Sequence, residues 1–222
     1  MPDALESTRL AQVYNRVARH YDAYHALVTL RSDARGRKIV VKHGVHPGDA
    51  VLDAGGGTGA TSLLAAERVG PAGHVTVLDM TDGMLDIARA KAREAGLDGR
   101  MTFQTGDILA LPFADASFDA VLSTYSLCPL YDASQGALEL YRVLKPGGRL
   151  GAAFSVEPSN TAVRWVAHRA EKVLWRFPSL TLGCRAVSVL PALEKAGAQV
   201  LLDTRIGVPL WPFQVLVVQK PA

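Results

Sequence analysis

Val51-Leu52-Asp53-Ala54-Gly55-Gly56-Gly57-Thr58-Gly59 reads as a short apolar strand that stops at an acid, turns on glycine and enters a helix. Ordering glycine costs more backbone freedom than ordering any other residue. A run of this kind is expected where a ligand must approach the backbone closely at a bare helix N-terminus. A flexible linker is the alternative. The apolar residues before the run (Ala50 to Leu52) and the helical pattern after it (Leu63, Leu64, Ala66, Val69) argue against one.

Working outward, apolar runs alternate with amphipathic stretches from about residue 50 onward. Strands are expected at 50–54, 74–79, 101–105, 118–123 and 149–155, and helices at 58–69, 82–95 and 133–144. Short apolar strands separated by helices of this length imply a parallel sheet covered on both faces. The tail differs: 199–206 and 214–219 are strand-like, separated by the turn-rich Gly207-Val208-Pro209-Leu210-Trp211-Pro212, and predict an antiparallel hairpin at the sheet edge. The first 45 residues read as one or two helices ahead of the sheet. The fold class is therefore α/β, a doubly wound sheet of five parallel strands plus the C-terminal hairpin. We parse 1–222 as one domain: a helical cap (1–45), a ligand-binding core (46–155), a helical lid or specificity insert (156–198) and the hairpin (199–222).

The 222 residues, 49% hydrophobic and 20% charged, suit one well-buried globular domain. No apolar run is long enough to span a bilayer, and the start carries no secretion signal. Cys128 and Cys184 have neither metal-ligand spacing nor a disulfide framework, so no metal is expected. These features fit a reduced cytoplasmic protein. Charge is uneven, however. Segment 9–42 holds eight Lys/Arg against Asp22 and Asp33, and segment 159–186 holds five against Glu171. Such stretches either form solvated faces or meet anionic lipid or phosphate, the second option placing the protein peripherally at the inner membrane face.

In a doubly wound sheet the ligand sits at the carboxyl ends of the strands, where strand order reverses. Asp53 closes the first strand, Asp79 the second, and Asp107 follows the third. Each alone could be a helix cap or turn former, but three at successive strand ends point to one ligand. Gly55 and Gly57 offer bare backbone N–H groups, with Thr58 beside them. Asp79, 24 residues beyond Gly55, can accept two hydrogen bonds from a ribose diol. Asp107 is placed to meet the exocyclic amine of an adenine, with Met80 and Ile108 on its faces. A dinucleotide is the rival, because Gly55-x-Gly57-x-x-Ala60 fits a relaxed fingerprint. Against it, Asp53 has no work beside a pyrophosphate and suits an ammonium group. The Leu144-Lys145-Pro146-Gly147-Gly148 turn is foreign to dinucleotide enzymes, and no second domain holds a hydride acceptor.

Val51–Gly59, Asp79, Gly106-Asp107-Ile108, Leu111-Pro112-Phe113 with Ser117-Phe118-Asp119, and Leu144 to Gly148 together resemble class I S-adenosylmethionine-dependent methyltransferases. The resemblance implies S-adenosylmethionine as cofactor and the seven-stranded Rossmann-like sheet of that class. Tyr14-Asn15-x-x-Ala18-x-x-Tyr21-Asp22 is similar to the ubiquinone/menaquinone biosynthesis methyltransferases and their phospholipid N-methyltransferase relatives. It implies that Tyr21 closes over the methionine end of the cofactor. The chain departs from the quinone enzymes in Ala54-Gly55-Gly56-Gly57-Thr58 and in Ser123-Thr124-Tyr125-Ser126-Leu127-Cys128-Pro129.

Methyl transfer from a sulfonium is an in-line displacement, so the protein mainly positions the acceptor and excludes water. Ser123, Thr124, Tyr125 and Ser126 follow the fourth strand and face the transferred methyl in this fold. No Asn/Asp-Pro-Pro-aromatic motif stands there, which argues against adenine or planar amides as acceptors, and no nucleic-acid partner is expected. Tyr21, His25 and Tyr125 are the catalytic candidates, His25 as a base, although a single histidine on a helix is more often a surface or capping residue. Arg31, or Arg185 opening a helix after the insert, could bind a phosphate or quinol oxygen. The expected activity is methylation of a small lipophilic molecule, a quinol ring carbon or, alternatively, a phosphatidylethanolamine amine. Membrane contact would run through segments 9–42 and 159–186. A non-catalytic cofactor-binding relative and an NAD(P)-dependent oxidoreductase are the readings from other classes.

Overall fold

The computed structural model describes residues 7–174 and 184–222. Three helices precede the sheet: α1 (Ser7–Val17), α2 (Tyr21–Val28) and α3 (Ser32–Gly44), with a 3-10 turn at Ala18–His20. This exceeds the one or two read from sequence, because Leu30 and Arg31 adopt left-handed backbone (φ 50° and 61°) and break the pattern without glycine or proline. The remaining helices are α4 (Ala60–Val69), α5 (Asp82–Glu94), α6 (Ala133–Arg142), α7 (Thr161–Leu174) and α8 (Leu190–Lys195).

The strands are β1 (Ala50–Ala54), β2 (His74–Asp79), β3 (Met101–Thr105), β4 (Phe118–Thr124), β5 (Leu144–Ser155), β6 (Gln199–Val208) and β7 (Trp211–Gln219). They form one sheet in the order β3-β2-β1-β4-β5-β7-β6. The first five are parallel, and β7 lies antiparallel between β5 and the edge strand β6. Order reverses between β1 and β4, which opens the crevice expected of this topology at their carboxyl ends. Alternate residues of the strands feed two cores. Val51, Val75 and Ala120 pack against Val40 of α3, Ala65 of α4 and Leu85 of α5. Leu52, Leu78 and Val121 pack with Ala137 of α6 and Leu193 of α8 on the other face.

Several expected boundaries move. The Lys145-Pro146-Gly147-Gly148 turn lies inside β5, which starts at Leu144 rather than Arg149. A register break between Phe118 and Ala120 of β4 absorbs the extra residues. Helix α4 starts at Ala60, because Gly59 takes left-handed backbone (φ 83°). The residues linking the tail strands are mostly ladder, leaving only Pro209 and Leu210 as the turn. Arg185 does not open a helix: 184–189 is irregular and α8 begins at Leu190. Of the expected insert helix, Trp175, Arg176 and Phe177 lie outside the described residues.

A buried polar cluster fixes the cap on the sheet. Arg37 of α3 donates from Nη1 to Thr61 Oγ1 of α4 (2.9 Å) and to Thr124 Oγ1 of β4 (3.0 Å). It also stands 3.9 Å from Asp33 Oδ2. Gly36 presses against Tyr125, where any Cβ would come 2.3 Å from the phenolic oxygen. A guanidinium taken out of water survives only with its partners in place. Replacing Arg37 by methionine strands Asp33 and two hydroxyls in the interior. We expect a loss of about 3–5 kcal/mol in urea unfolding, against under about 1 kcal/mol for the exposed Arg35→Met.

Candidate functional site

A cleft of about 580 Å³, mouth included, opens at the carboxyl ends of β1, β2, β3 and β4 beneath the cap. Gly55 and Gly57 form its floor with left-handed backbone (φ 72° and 53°). A Cβ on Gly55 would fall 2.3 Å from Ser126 Cβ, so glycine is what lets the turn lie against the loop after β4. Asp79, Met80, Asp107 and Ile108 line one wall, while Tyr21 of α2 and Tyr125 line the cap side. With Thr124 and Ser126, the fold thus brings together ten of the residues singled out from sequence.

Asp53, Thr58, Ser123 and His25 are not in that lining. Asp53 is fully buried behind the glycine turn. Its Oδ2 accepts from Ser62 Oγ at 2.5 Å, and its Oδ1 is the buried side-chain oxygen without a hydrogen-bond partner among the described residues. Burial pushes its pKa up to about 6, against the opposing hydrogen bond from Ser62 and the charge of Arg37. Thr58 donates instead to Asp22 Oδ1 (2.5 Å), and Asp22 also binds Lys91, which stitches α2 to the glycine turn and α5. Ser123 hydrogen-bonds Ser126 Oγ (2.7 Å), and Ser126, which does line the cleft, donates to Ala54 O (3.0 Å).

Asp79 holds the turn as well as the wall. Its Oδ2 accepts from Gly57 N (2.9 Å) and its Oδ1 from Thr81 N and Oγ1 (3.0 and 2.8 Å). Burial raises its pKa, and those donors oppose the rise. Asp107 Oδ1 accepts from Leu109 N (2.9 Å), which fixes the turn after β3.

His25 is neither a surface nor a capping residue. It is buried, with Nδ1 3.1 Å from Asp33 Oδ2, and Thr29 Oγ1 donates to Asp33 Oδ1 at 2.9 Å. Burial works against the Asp33 charge, but the His25 and Thr29 hydrogen bonds and the charge of Arg37 win and hold its carboxyl well below the usual range. The imidazole is one rung in a line of rings. Tyr14–Tyr21, Tyr21–His25, His25–Tyr125 and Tyr125–Phe213 have centroids 5.9, 5.3, 5.1 and 5.3 Å apart. The Tyr125 hydroxyl turns away toward Asp33 O (3.4 Å) on α3. Burial pushes both the Tyr21 and Tyr125 phenols far up, so neither is a base near neutral pH. Tyr125 itself holds a left-handed backbone (φ 62°), a conformation a bulky residue adopts only under constraint.

Sequence reasoning missed Leu10, Tyr14, Met84 and Gly106 as lining, along with Pro129 and Leu130. Leu10 and Tyr14 recur four apart on α1, a helical face that was legible; Met84 lies in the first turn of α5, and Gly106, Pro129 and Leu130 lie on loops. Arg185 donates to the carbonyls of Leu130 and Tyr131 (2.8 Å each), which makes it a strut for that loop. Arg31 is exposed at the α2–α3 turn. The Cys184 thiol hydrogen-bonds Cys128, whose Sγ also accepts from Ser155 N (3.1 Å); the bond from Cys184 draws the Cys128 pKa down. No group of three or more metal-ligating side chains occurs among the described residues.

The sequence profile of the ubiE/COQ5 methyltransferase family matches residues 3–174. A demethylmenaquinone methyltransferase from Lactobacillus johnsonii is 38% identical over 153 residues, covering 68% of this chain and 63% of that protein. A ubiquinone/menaquinone biosynthesis C-methyltransferase, UbiE, from Ectopseudomonas mendocina is 32% identical over 161 residues, covering 72% and 63%. The chain thus spans under two thirds of the length of these curated relatives. Among solved structures, the [4+2]-cyclase SpnF superposes with a TM-score of 0.79 at 21% identity, covering 100% of this chain and 98% of that one, a likeness of fold. Because the profile runs through the cap and every strand whose end lines the cleft, the chain belongs to the ubiE/COQ5 methyltransferase family.

Proposed function

We propose that the chain transfers a methyl group from S-adenosylmethionine to a ring carbon of a demethylated quinol. The observation that carries the cofactor assignment is Asp53. A fully buried carboxylate with a spare oxygen behind a glycine turn is costly unless a cation comes to it, and the cofactor carries an ammonium group. The acceptor reading rests on the quinone enzymes named above, which also leave a phospholipid amine the less favoured acceptor. In this reading 1–222 works as one domain, with the cap (1–45) and insert (156–198) enclosing the core.

When bound, S-adenosylmethionine supplies an electrophilic methyl on a sulfonium. Asp53 would draw its ammonium group, Asp79 would hold the ribose hydroxyls and Asp107 the adenine amine, with Met80 and Ile108 on the adenine faces. Tyr21 and Tyr125 present ring surface to the reacting end, keeping water out and the acceptor in line. Thr58 and Ser123 serve by holding the turn and the loop after β4. His25 acts through the two tyrosines it packs between and is a positioning residue here. The acceptor is lipophilic, and we infer peripheral membrane contact by faces that include parts of 9–42 and 159–186.

Labelled cofactor with separate demethylmenaquinol and phosphatidylethanolamine extracts tests the acceptor. Label is expected in the quinol fraction alone, and transfer to neither would overturn the lipophilic acceptor. Calorimetry with S-adenosylhomocysteine tests the cofactor, and binding of NAD(P) in its place would overturn that assignment.

A pH series tests Asp53. The pKa is raised on folding, so the protein takes up a proton between the unfolded value and about 6, and stability falls as pH rises across that window. Ligand binding runs the other way, because a cation needs the ionised form. S-adenosylhomocysteine affinity should be level above about pH 7 and weaken as pH falls through about 6. Asp53→Asn should bind about 10–100-fold more weakly at pH 8, with that dependence gone.

A further inference from the structure

We propose that the end of the molecule around the cleft mouth is a docking face for an anionic lipid bilayer. This rests on the reading that the acceptor is lipophilic. Ten large hydrophobic side chains stand exposed among the described residues, and all but Val200 and Leu201 lie at this one end. Scattered singly they would be ordinary; gathered around one opening they mark a contact surface.

Their placement follows from the packing. Gly36 of α3 lies against Tyr125, just past β4, while Gly44 lies against Leu122 and Gly151 in mid-sheet. The N-terminus of α3 and the turn before it therefore project beyond the carboxyl ends of the strands. Leu27 and Leu30, 72% and 65% exposed, sit on that projection. Phe213 pairs with Ser155, the last residue of β5, so the hairpin tip with Leu210 reaches past the same end. A second cleft, about 680 Å³ with its mouth included, joins Leu210 and Trp211 to Ala167 and His168 of α7, which brings exposed Trp165 alongside.

Charge decides the occupant. Arg19, Arg31 and Arg35 are exposed on the cap at this end, and Arg169 stacks over Trp165 (4.3 Å to the ring centre). Of the nearby acids, Asp22 pairs with Thr58 and Lys91, Glu157 with Arg164 and His168 (3.7 and 3.2 Å), and Asp132, beside Tyr131, caps α6 through Gln135 N (2.8 Å). Apolar tips with a tryptophan among arginines suit the boundary between headgroups and acyl chains. The patch is also broken by the cleft mouth, so it fits a deformable surface better than the flat core of a protein interface. No described helix is long and apolar enough to cross a membrane, so contact would be at the surface. Leu30 and Arg31 keep left-handed backbone in the turn that carries these tips.

The test is co-sedimentation of the full chain with vesicles of phosphatidylglycerol and phosphatidylethanolamine, beside pure phosphatidylcholine. Variants Leu27→Asp/Leu30→Asp and Trp165→Asp/Leu210→Asp change two separate elements outside the cleft. The wild type should pellet with the anionic vesicles, less so as salt rises from about 50 to about 500 mM. Each double variant should partition at least about 10-fold more weakly while keeping its melting temperature and S-adenosylhomocysteine affinity. No pelleting of the wild type, variants that pellet like it, or self-association through this face without vesicles would overturn the proposal. Rates with a short-chain, water-soluble demethylquinol should be equal in all three proteins. If none turns it over while vesicle binding stands, the acceptor reading fails and the docking face does not.

Discussion

One buried guanidinium sets the geometry of this protein. Arg37 enters from α3 and ends between the first turn of α4 and the last residue of β4, where Thr61 and Thr124 meet it and each other (Oγ1 atoms 2.6 Å apart). Burying that charge is tolerable only because Asp33 stays ionised one turn earlier on the same helix, and Asp33 in turn holds His25. The cap, the glycine turn's helix and the strand end beside the cleft are thereby tied through one cluster. Positions that look independent along the chain are linked in energy, since loss of any member leaves others desolvated and unpaired.

Two carboxylates show how burial divides roles. Asp33 has a histidine, a threonine and a guanidinium around it and remains a fixed charge. Asp53, more deeply hidden, has one serine and an idle oxygen. The first is consumed by structure; the second keeps an oxygen unclaimed among the described residues. The tyrosines follow the same logic. With their phenols buried and far from ionising, Tyr21 and Tyr125 line the cleft with ring surface, which suits the proposed displacement, whose barrier falls mainly through alignment and exclusion of water.

Much of this was legible in the chain. Strand, glycine turn and helix announce themselves through local composition, and acids at strand ends follow from topology, so Gly55, Gly57, Asp79, Met80, Asp107 and Ile108 could be placed without coordinates. What stayed hidden depends on long-range contact. Counting charge treated Arg37 and Asp33 as part of a basic surface segment, because nothing local distinguishes a buried arginine from a solvated one. His25 looked like an isolated helical histidine since its partners are Asp33 and two rings, one of them 100 positions away at Tyr125. Thr58 and Ser123 sit where cofactor contacts are expected, yet Asp22 and Ser126 claim their hydroxyls. The third cap helix was missed because its boundary is made by Leu30 and Arg31, residues with no preference for that backbone.

The contact between Gly36 and Tyr125 bears on how a ligand gets in. Helix α3 is pinned at that close approach, at Arg37 and along the apolar residues that follow, so it belongs mechanically to the sheet. The part of the cap that covers the cleft, with Leu10, Tyr14 and Tyr21, precedes the Leu30–Arg31 turn and is held by ring stacking, the His25–Asp33 bond and the Asp22 contacts at its rim. Among the described residues, 7–29 are therefore the side of the cleft with the fewest ties to the sheet, while α3 forms a fixed frame opposite.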